Sequence, residues 1–222
     1  MTATLVFLAL LMAVLVSWLL RQSINVQPWV AQSETARQVS HLPEGFTAAR
    51  VGLAVFVAVA TSLFALTISA YMMRMHMGND WRHLHAPQLL WVNTVMLLFG
   101  SIALQWAWGG AKRGDPSALR FGLATGGACS IAFIVGQYFV WRQLNAAGYY
   151  VAANPANAFF FMMTALHALH LLGGLVAWAR TVRRVWRGWA PAQVRGSVEL
   201  CALYWHYLFI VWVVLFGLVL MH

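Results

Sequence analysis

Six apolar runs alternate with short polar connections along this chain. They cover about residues 3–20, 51–75, 88–108, 119–141, 158–178 and 199–221. A helix needs ~20 mainly apolar residues to cross ~30 Å of hydrocarbon. Strands of a membrane barrel would instead show alternating segments of ~10 residues. Backbone groups in hydrocarbon must satisfy one another, so these runs are helices. The expected fold is all-α, a polytopic transmembrane helix bundle of about six spans.

The connections carry the matching punctuation. The first run stops at Arg21. It lacks a positive leading segment and a clear small-residue cleavage site, so it is expected to stay as a helix. A polar linker with Pro28, Glu34, Pro43 and Glu44 follows. Pro87 suits a helix start, and Gly109-Gly110 reads as a stop. Asn154-Pro155 reads as a turn before the fifth run.

Composition agrees with the pattern. Hydrophobic residues make up 62 % and charged residues 9 %, against about a quarter charged in a soluble domain. So few charges cannot coat a globule, and lipid-facing surface takes their place. The net charge of +9 does not signal nucleic acid, because no basic stripe is interleaved with aromatics. The basic residues lie at run ends instead. Arg21, Arg37, Arg50, Lys112, Arg113, Arg120, Arg180, Arg183, Arg184, Arg187 and Arg195 fall after the first, third and fifth runs, and only Arg74, Arg82 and Arg142 fall on the other side. The positive-inside rule puts the larger set in the cytoplasm. Both termini are then expected on the outer side of a cell (plasma) membrane. Trp18, Trp29, Trp81, Trp91, Trp108, Trp141, Trp178, Trp186 and Trp189 sit near run ends or in connections, where indoles anchor at the interface.

Candidate chemistry is sparse. The five acids are Glu34, Glu44, Asp80, Asp115 and Glu199. None lies at a span centre, which argues against a proton relay or ion pathway. Glu199 is placed to complement the dipole at the start of the last helix. His167 and His170 share a helical face, and His206 lies in the last run. Histidines on facing helices hold haem in b-type membrane cytochromes. Interhelical hydrogen bonding is the alternative use. His83 and His85 carry a weak metal signal. Cys129 and Cys201 lie inside apolar runs and read as small hydrophobes. Gly122 and Gly126, with Gly173 and Gly174, suit close helix packing in lipid.

The last two runs become specific. The stretch Thr164-Ala-Leu-His167-Ala-Leu-His170-Leu-Leu-Gly-Gly174 resembles the T-G-x-H-G-x-H-x-x-x-G signature of haem–copper oxidase subunit III. Glu199, followed after four residues by Tyr204-Trp205-His206-Tyr207, resembles that family's E-x-x-x-x-Y-W-H-F signature. Trp212 falls where the family has a further tryptophan. Asn93-Thr94 and Trp106-Ala107 match its N-T and W-A pairs, and Arg50, Gly52 and Phe56 match the opening of the preceding helix. The resemblance spans residues 50–222 as a five-helix domain. Residues 1–49 add one helix and the linker. Departures are Ala60, Val140 and Phe209 where the family has acids, and Ala165 and Ala168 where it has glycines.

The resemblance implies an accessory core subunit of a bacterial-type terminal oxidase that reduces oxygen and pumps protons. It implies no catalytic, cofactor or metal residue on this chain. Haems and copper would belong to subunit I, with subunit II in the complex. Asn93, Thr94, Trp106, His167, His170, Gly174, Glu199, Tyr204, Trp205, His206 and Trp212 would be structural motif residues. Structural phospholipids would be held by the subunit, with Arg50 and Phe56 as candidate contacts and Arg50 suited to a phosphate. Proton-linked roles of the missing acids do not carry over. Alternatives are the related accessory membrane subunit of nitric oxide reductase and, from another class, a b-type haem electron carrier.

Overall fold

The computed structural model describes residues 47–77, 80–81 and 87–221. The run at 3–20 and its linker, and His41, His83, His85 and His222, lie outside the described residues. Five helices follow in order: α1 (Ala48–Met75), α2 (Leu89–Arg113), α3 (Pro116–Ala146), α4 (Pro155–Trp186) and α5 (Pro191–Met221). All five are long and apolar enough to cross a membrane.

Local chemistry sets their ends. The Thr47 hydroxyl accepts from the Arg50 N–H at the start of α1. Asp115 caps α3 through the N–H groups of Ser117 and Ala118 at 2.9 and 3.1 Å. Asn154 caps α4 through Ala156 N–H at 3.1 Å. Pro116, Pro155 and Pro191 open their helices, where proline's missing N–H costs nothing. Gln193 Oε1 reaches back to accept the Ala190 N–H at 3.0 Å, half of a capping box.

Gly109-Gly110 does not stop α2. The helix runs through both and ends at Gly114, whose φ of 72° is the left-handed cap that glycine adopts without a Cβ penalty. Gly110 serves packing instead. A Cβ there would lie 2.9 Å from Ala118 Cβ, so its absence lets α2 close on the first turn of α3. The other helices also overrun the apolar runs. Hydropathy marks only the stretch in hydrocarbon, while helical hydrogen bonding continues into the headgroup region.

The α2–α3 hairpin is the closest pair. A Cβ on Gly122 would meet the Ala103 carbonyl at 2.6 Å and Ala107 N at 2.7 Å, and one on Gly126 would meet Leu104 at 2.7 Å. Small residues thus replace the hydrophobic drive that lipid does not supply. The main core joins α2, α3, α4 and α5 around Phe133, Leu97, Leu104, Leu171, Trp205 and Trp212. A second cluster, with Phe64, Tyr71, Met163 and Leu215, fixes α1 against α4 and α5. α1 buries the smallest share of its apolar stretch and leans on the bundle along one face. Cys129 and Cys201 are free thiols.

Trp178 is not an interface anchor. α4 continues two turns past it to Trp186, and its indole packs on Gly127 and donates to the Leu123 carbonyl at 3.0 Å. Trp141 also turns inward, donating to Thr164 Oγ1 at 3.0 Å. Trp108 is half-buried, its indole N–H enclosed without a partner and Lys112 Nζ 3.5 Å from its ring.

Candidate functional site

The motif residues converge on two features, a histidine–aromatic seam and a groove. The seam begins on α1, where Phe56, Ala60 and Phe64 recur at helical spacing on the face that meets α4. Phe56 and Phe64 lie 6.0 and 5.2 Å from the His170 ring, and Phe56 lies 5.8 Å from Tyr204. Ala60, at the position of a missing acid, is buried on the same face.

The two histidines differ although they share a helix. His167 is fully buried, with the rings of Trp212, Phe133 and Phe64 at 5.2, 5.6 and 6.5 Å. Neither of its ring nitrogens has a hydrogen-bond partner. His170 donates from Nδ1 to the Leu166 carbonyl on its own helix at 2.8 Å. The rings against His167 are aromatic side chains rather than a second histidine. Among the described residues no three His, Cys, Asp or Glu side chains gather as metal ligands.

The remaining motif residues tie helices together. Trp205 donates to Ser130 Oγ at 2.7 Å, and Trp212 donates to Thr94 Oγ1 at 2.9 Å. Tyr204 donates to the His170 carbonyl at 3.0 Å, its ring resting on the space left by Gly174. Asn93 donates to Gln137 Oε1 at 3.3 Å, and Gly136 leaves room for that amide. His206 bridges Ser101 Oγ and Gln105 Oε1, the latter at 3.0 Å. Trp106 stays on the outer surface, edge-on to Phe121 at 5.4 Å.

Glu199 does not cap a dipole. α5 begins two turns earlier, at Pro191, and the Glu199 carboxylate accepts from Arg50 at 2.7 Å. Arg50 therefore spends part of its guanidinium on a protein carboxylate.

Beside that ion pair lies a groove of about 560 Å³ between α1, α4 and α5. Gly52, Leu53 and Phe56 form one wall, Gly173, Gly174 and Ala177 another, and Tyr204 and Trp205 line the third side. Arg180, Arg184 and Ser197 line it as well. Arg184 donates to Ser197 Oγ at 3.3 Å and lies 5.4 Å from the Trp189 ring. The groove is thus an apolar slot with cations among its lining. Sequence reading passed over Ser101, Gln105, Ser130 and Gln137. Their signal was present, as uncharged polar residues inside apolar runs, but it did not tell which helix each would face.

The family model described as cytochrome c oxidase subunit III matches residues 1–222. The chain belongs to the cytochrome c oxidase subunit III family. Relatives agree with this assignment. A probable cytochrome c oxidase subunit 3 of Mycobacterium tuberculosis is 31 % identical over 162 residues, covering 71 % of this chain and 77 % of its own. The cytochrome c oxidase subunit 3 of Thermostichus vulcanus is 26 % identical over 200 residues, 87 % of this chain and 96 % of its own. A haem–copper oxidase subunit I+III of Aeropyrum pernix is 26 % identical over 214 residues, 92 % of this chain and 26 % of its own. This subunit III is accordingly a multi-pass membrane component of a haem–copper oxidase. The nitric oxide reductase and b-type carrier alternatives draw no support from these relatives.

Proposed function

We propose that this subunit III acts as a non-catalytic clamp: it packs on the haem- and copper-bearing subunit I and seats a phospholipid in the α1–α4–α5 groove. In this reading it binds no haem or copper itself, and its motif residues set helix geometry. The basic ends face the cytoplasm in the plasma membrane, and both chain ends lie outside. Residues 1–49 add one span and a linker to the five-helix body.

The observation carrying the lipid part is the groove. Its walls are glycine, aliphatic and aromatic, which suits an acyl chain, while Arg180 and Arg184 suit a phosphate through charge-assisted contacts. The Aeropyrum relative, named as subunit I+III, supports adjacency of the two subunits.

The test is purification from native membranes in mild detergent. A haem- and copper-bearing subunit is expected to co-purify, with tightly held phospholipid detected by native mass spectrometry. Arg180→Gln with Arg184→Gln should reduce that lipid several-fold while the haem subunit is retained. Recovery of this chain alone, without any haem protein, counts against the clamp reading. Unchanged lipid in the double variant counts against the groove as its seat. Cysteines placed at Gly114 and Ala153 should react from the cytoplasmic and outer sides respectively.

A further inference from the structure

The outer face shared by α2 and α5 contains a polar feature out of keeping with lipid. Ser101 lies midway along α2 and His206 midway along α5. Gln105, one turn nearer the basic end of α2, is exposed. The three side chains form a directional chain. Gln105 Oε1 can only accept, so His206 Nε2–H donates to it, and neutral His206 Nδ1 accepts from the Ser101 hydroxyl. This arrangement turns the Gln105 oxygen inward. Its two amide N–H groups are left without a partner among the described residues.

Gln105 lies three residues inside the end of the apolar run at Trp108, about 4.5 Å of helix at ~1.5 Å per residue. Its hydrogen bond holds the side chain toward His206. Amide donors facing hydrocarbon find no solvent partner there, which is unfavourable. Three hydroxyls on α1 avoid this. Thr61, Ser62 and Thr67 on α1 donate to carbonyls of their own helix. Around Gln105 the surface is apolar and uncharged, with Leu98 and Ile102 on α2 and Leu203 and Ile210 on α5 all exposed. An apolar face centred on an unfilled pair of donors matches a transmembrane helix that presents an acceptor, and does not match acyl chains.

We propose that this α2–α5 face is where the haem-bearing subunit docks, one of its transmembrane helices accepting a hydrogen bond from the Gln105 amide. The proposal rests on the reading that this chain packs on such a subunit, and it adds which face does so.

The test places the photo-crosslinking residue p-benzoylphenylalanine at Ile102 or Ile210, and on the outer face of α3 at Phe121 or Val135, in the intact complex in native membranes. Adducts with the haem-bearing subunit are expected from Ile102 and Ile210, at least five-fold above those from Phe121 and Val135. Adducts with that subunit from the α3 positions alone, or adducts from Ile102 and Ile210 only with lipid or a second copy of this chain, overturn the docking face while leaving the clamp reading intact. Absence of any haem-bearing subunit from the purified complex sinks both. As a second measurement, Gln105→Leu should lower retention of this chain through purification several-fold, and Gln105→Asn should restore part of it. Full retention in Gln105→Leu removes the amide from the proposal.

Discussion

The indole N–H of Trp205 donates to the Ser130 hydroxyl at 2.7 Å, and the same hydroxyl donates to the Gly126 carbonyl at 2.7 Å. Both residues are fully buried. One oxygen thus links α5 to α3 with its donor and one acceptor site used.

Ser130→Ala removes the acceptor and leaves the indole N–H unsatisfied in a dry interior, which costs ~1–3 kcal/mol. Trp205→Phe removes the donor and some packing. The double variant should lose less than the sum of the singles, with a coupling of ~0.5–3 kcal/mol. Reversible unfolding in mixed micelles measures all three. Additive losses would mean that the bond does not join these helices.

The adjacent glycines Gly173 and Gly174 should respond differently to alanine. A Cβ on Gly174 would lie 2.7 Å from Tyr204 Cε1, whereas one on Gly173 meets nothing within 4 Å. Gly174→Ala should destabilise by ~1–3 kcal/mol, the range for overpacking. Gly173→Ala should be neutral or stabilising by up to ~1 kcal/mol, since alanine is the better helix former. Thermal midpoints of the two purified variants decide the matter. Equal losses would show that the α4–α5 approach does not depend on which glycine faces Tyr204.

Arg50–Glu199 joins the loosely packed α1 to α5 at 2.7 Å, with the Arg50 side chain 43 % exposed and that of Glu199 20 % exposed. Exposed pairs contribute ~0–1 kcal/mol. Glu199→Gln should therefore barely change global stability, yet increase hydrogen exchange in the first turns of α1. The swap Arg50→Glu with Glu199→Arg should recover part of the protection. Unchanged exchange in Glu199→Gln would show that α1 is held by its aromatic seam alone.

Arg74 donates to Asp80 at 2.6 Å just past the C-terminal end of α1. Next in sequence, Trp81 packs edge-on against Tyr71 at 5.0 Å. The hydrogen bond from Arg74, foremost, holds the Asp80 carboxyl below its ordinary range. A lowered value means that the contribution of the pair is fully present above the ordinary carboxylate pKa of ~3.9 and is lost as pH falls through the lowered value. Oxidative footprinting of Trp81 should stay flat from pH 8 to 5 and rise only in stronger acid. Asp80→Asn should abolish that acid step. A step near neutral pH would assign the tie to another group.

The histidine pair shows how far sequence reading reached. Spacing placed His167 and His170 on one helical face, and the structure keeps them there. Their environments differ because α1, α3 and α5 meet that face unequally. Phe133 and Trp212 enclose His167, while His170 lies nearer Phe56 and turns to its own backbone. Glu199 shows the opposite outcome. Its apparent place at a helix start followed from where the apolar run begins, but Pro191 and Gln193 start the helix earlier, and the carboxylate meets Arg50 instead. The link from His206 to Ser101 and Gln105 could not be read from the chain at all, since the partners lie 105 and 101 residues away.

The sequence by itself determined the number, order and type of the five described helices. A stretch of some twenty apolar residues in hydrocarbon has no other way to satisfy its backbone, and capping residues and prolines act within a single turn. Only the tertiary structure decided which polar groups meet. That depends on the rotation and crossing of each helix, set by where glycines allow backbones to touch. Ser130, Gln105 and Arg50 acquire their partners, and the groove its shape, from those contacts.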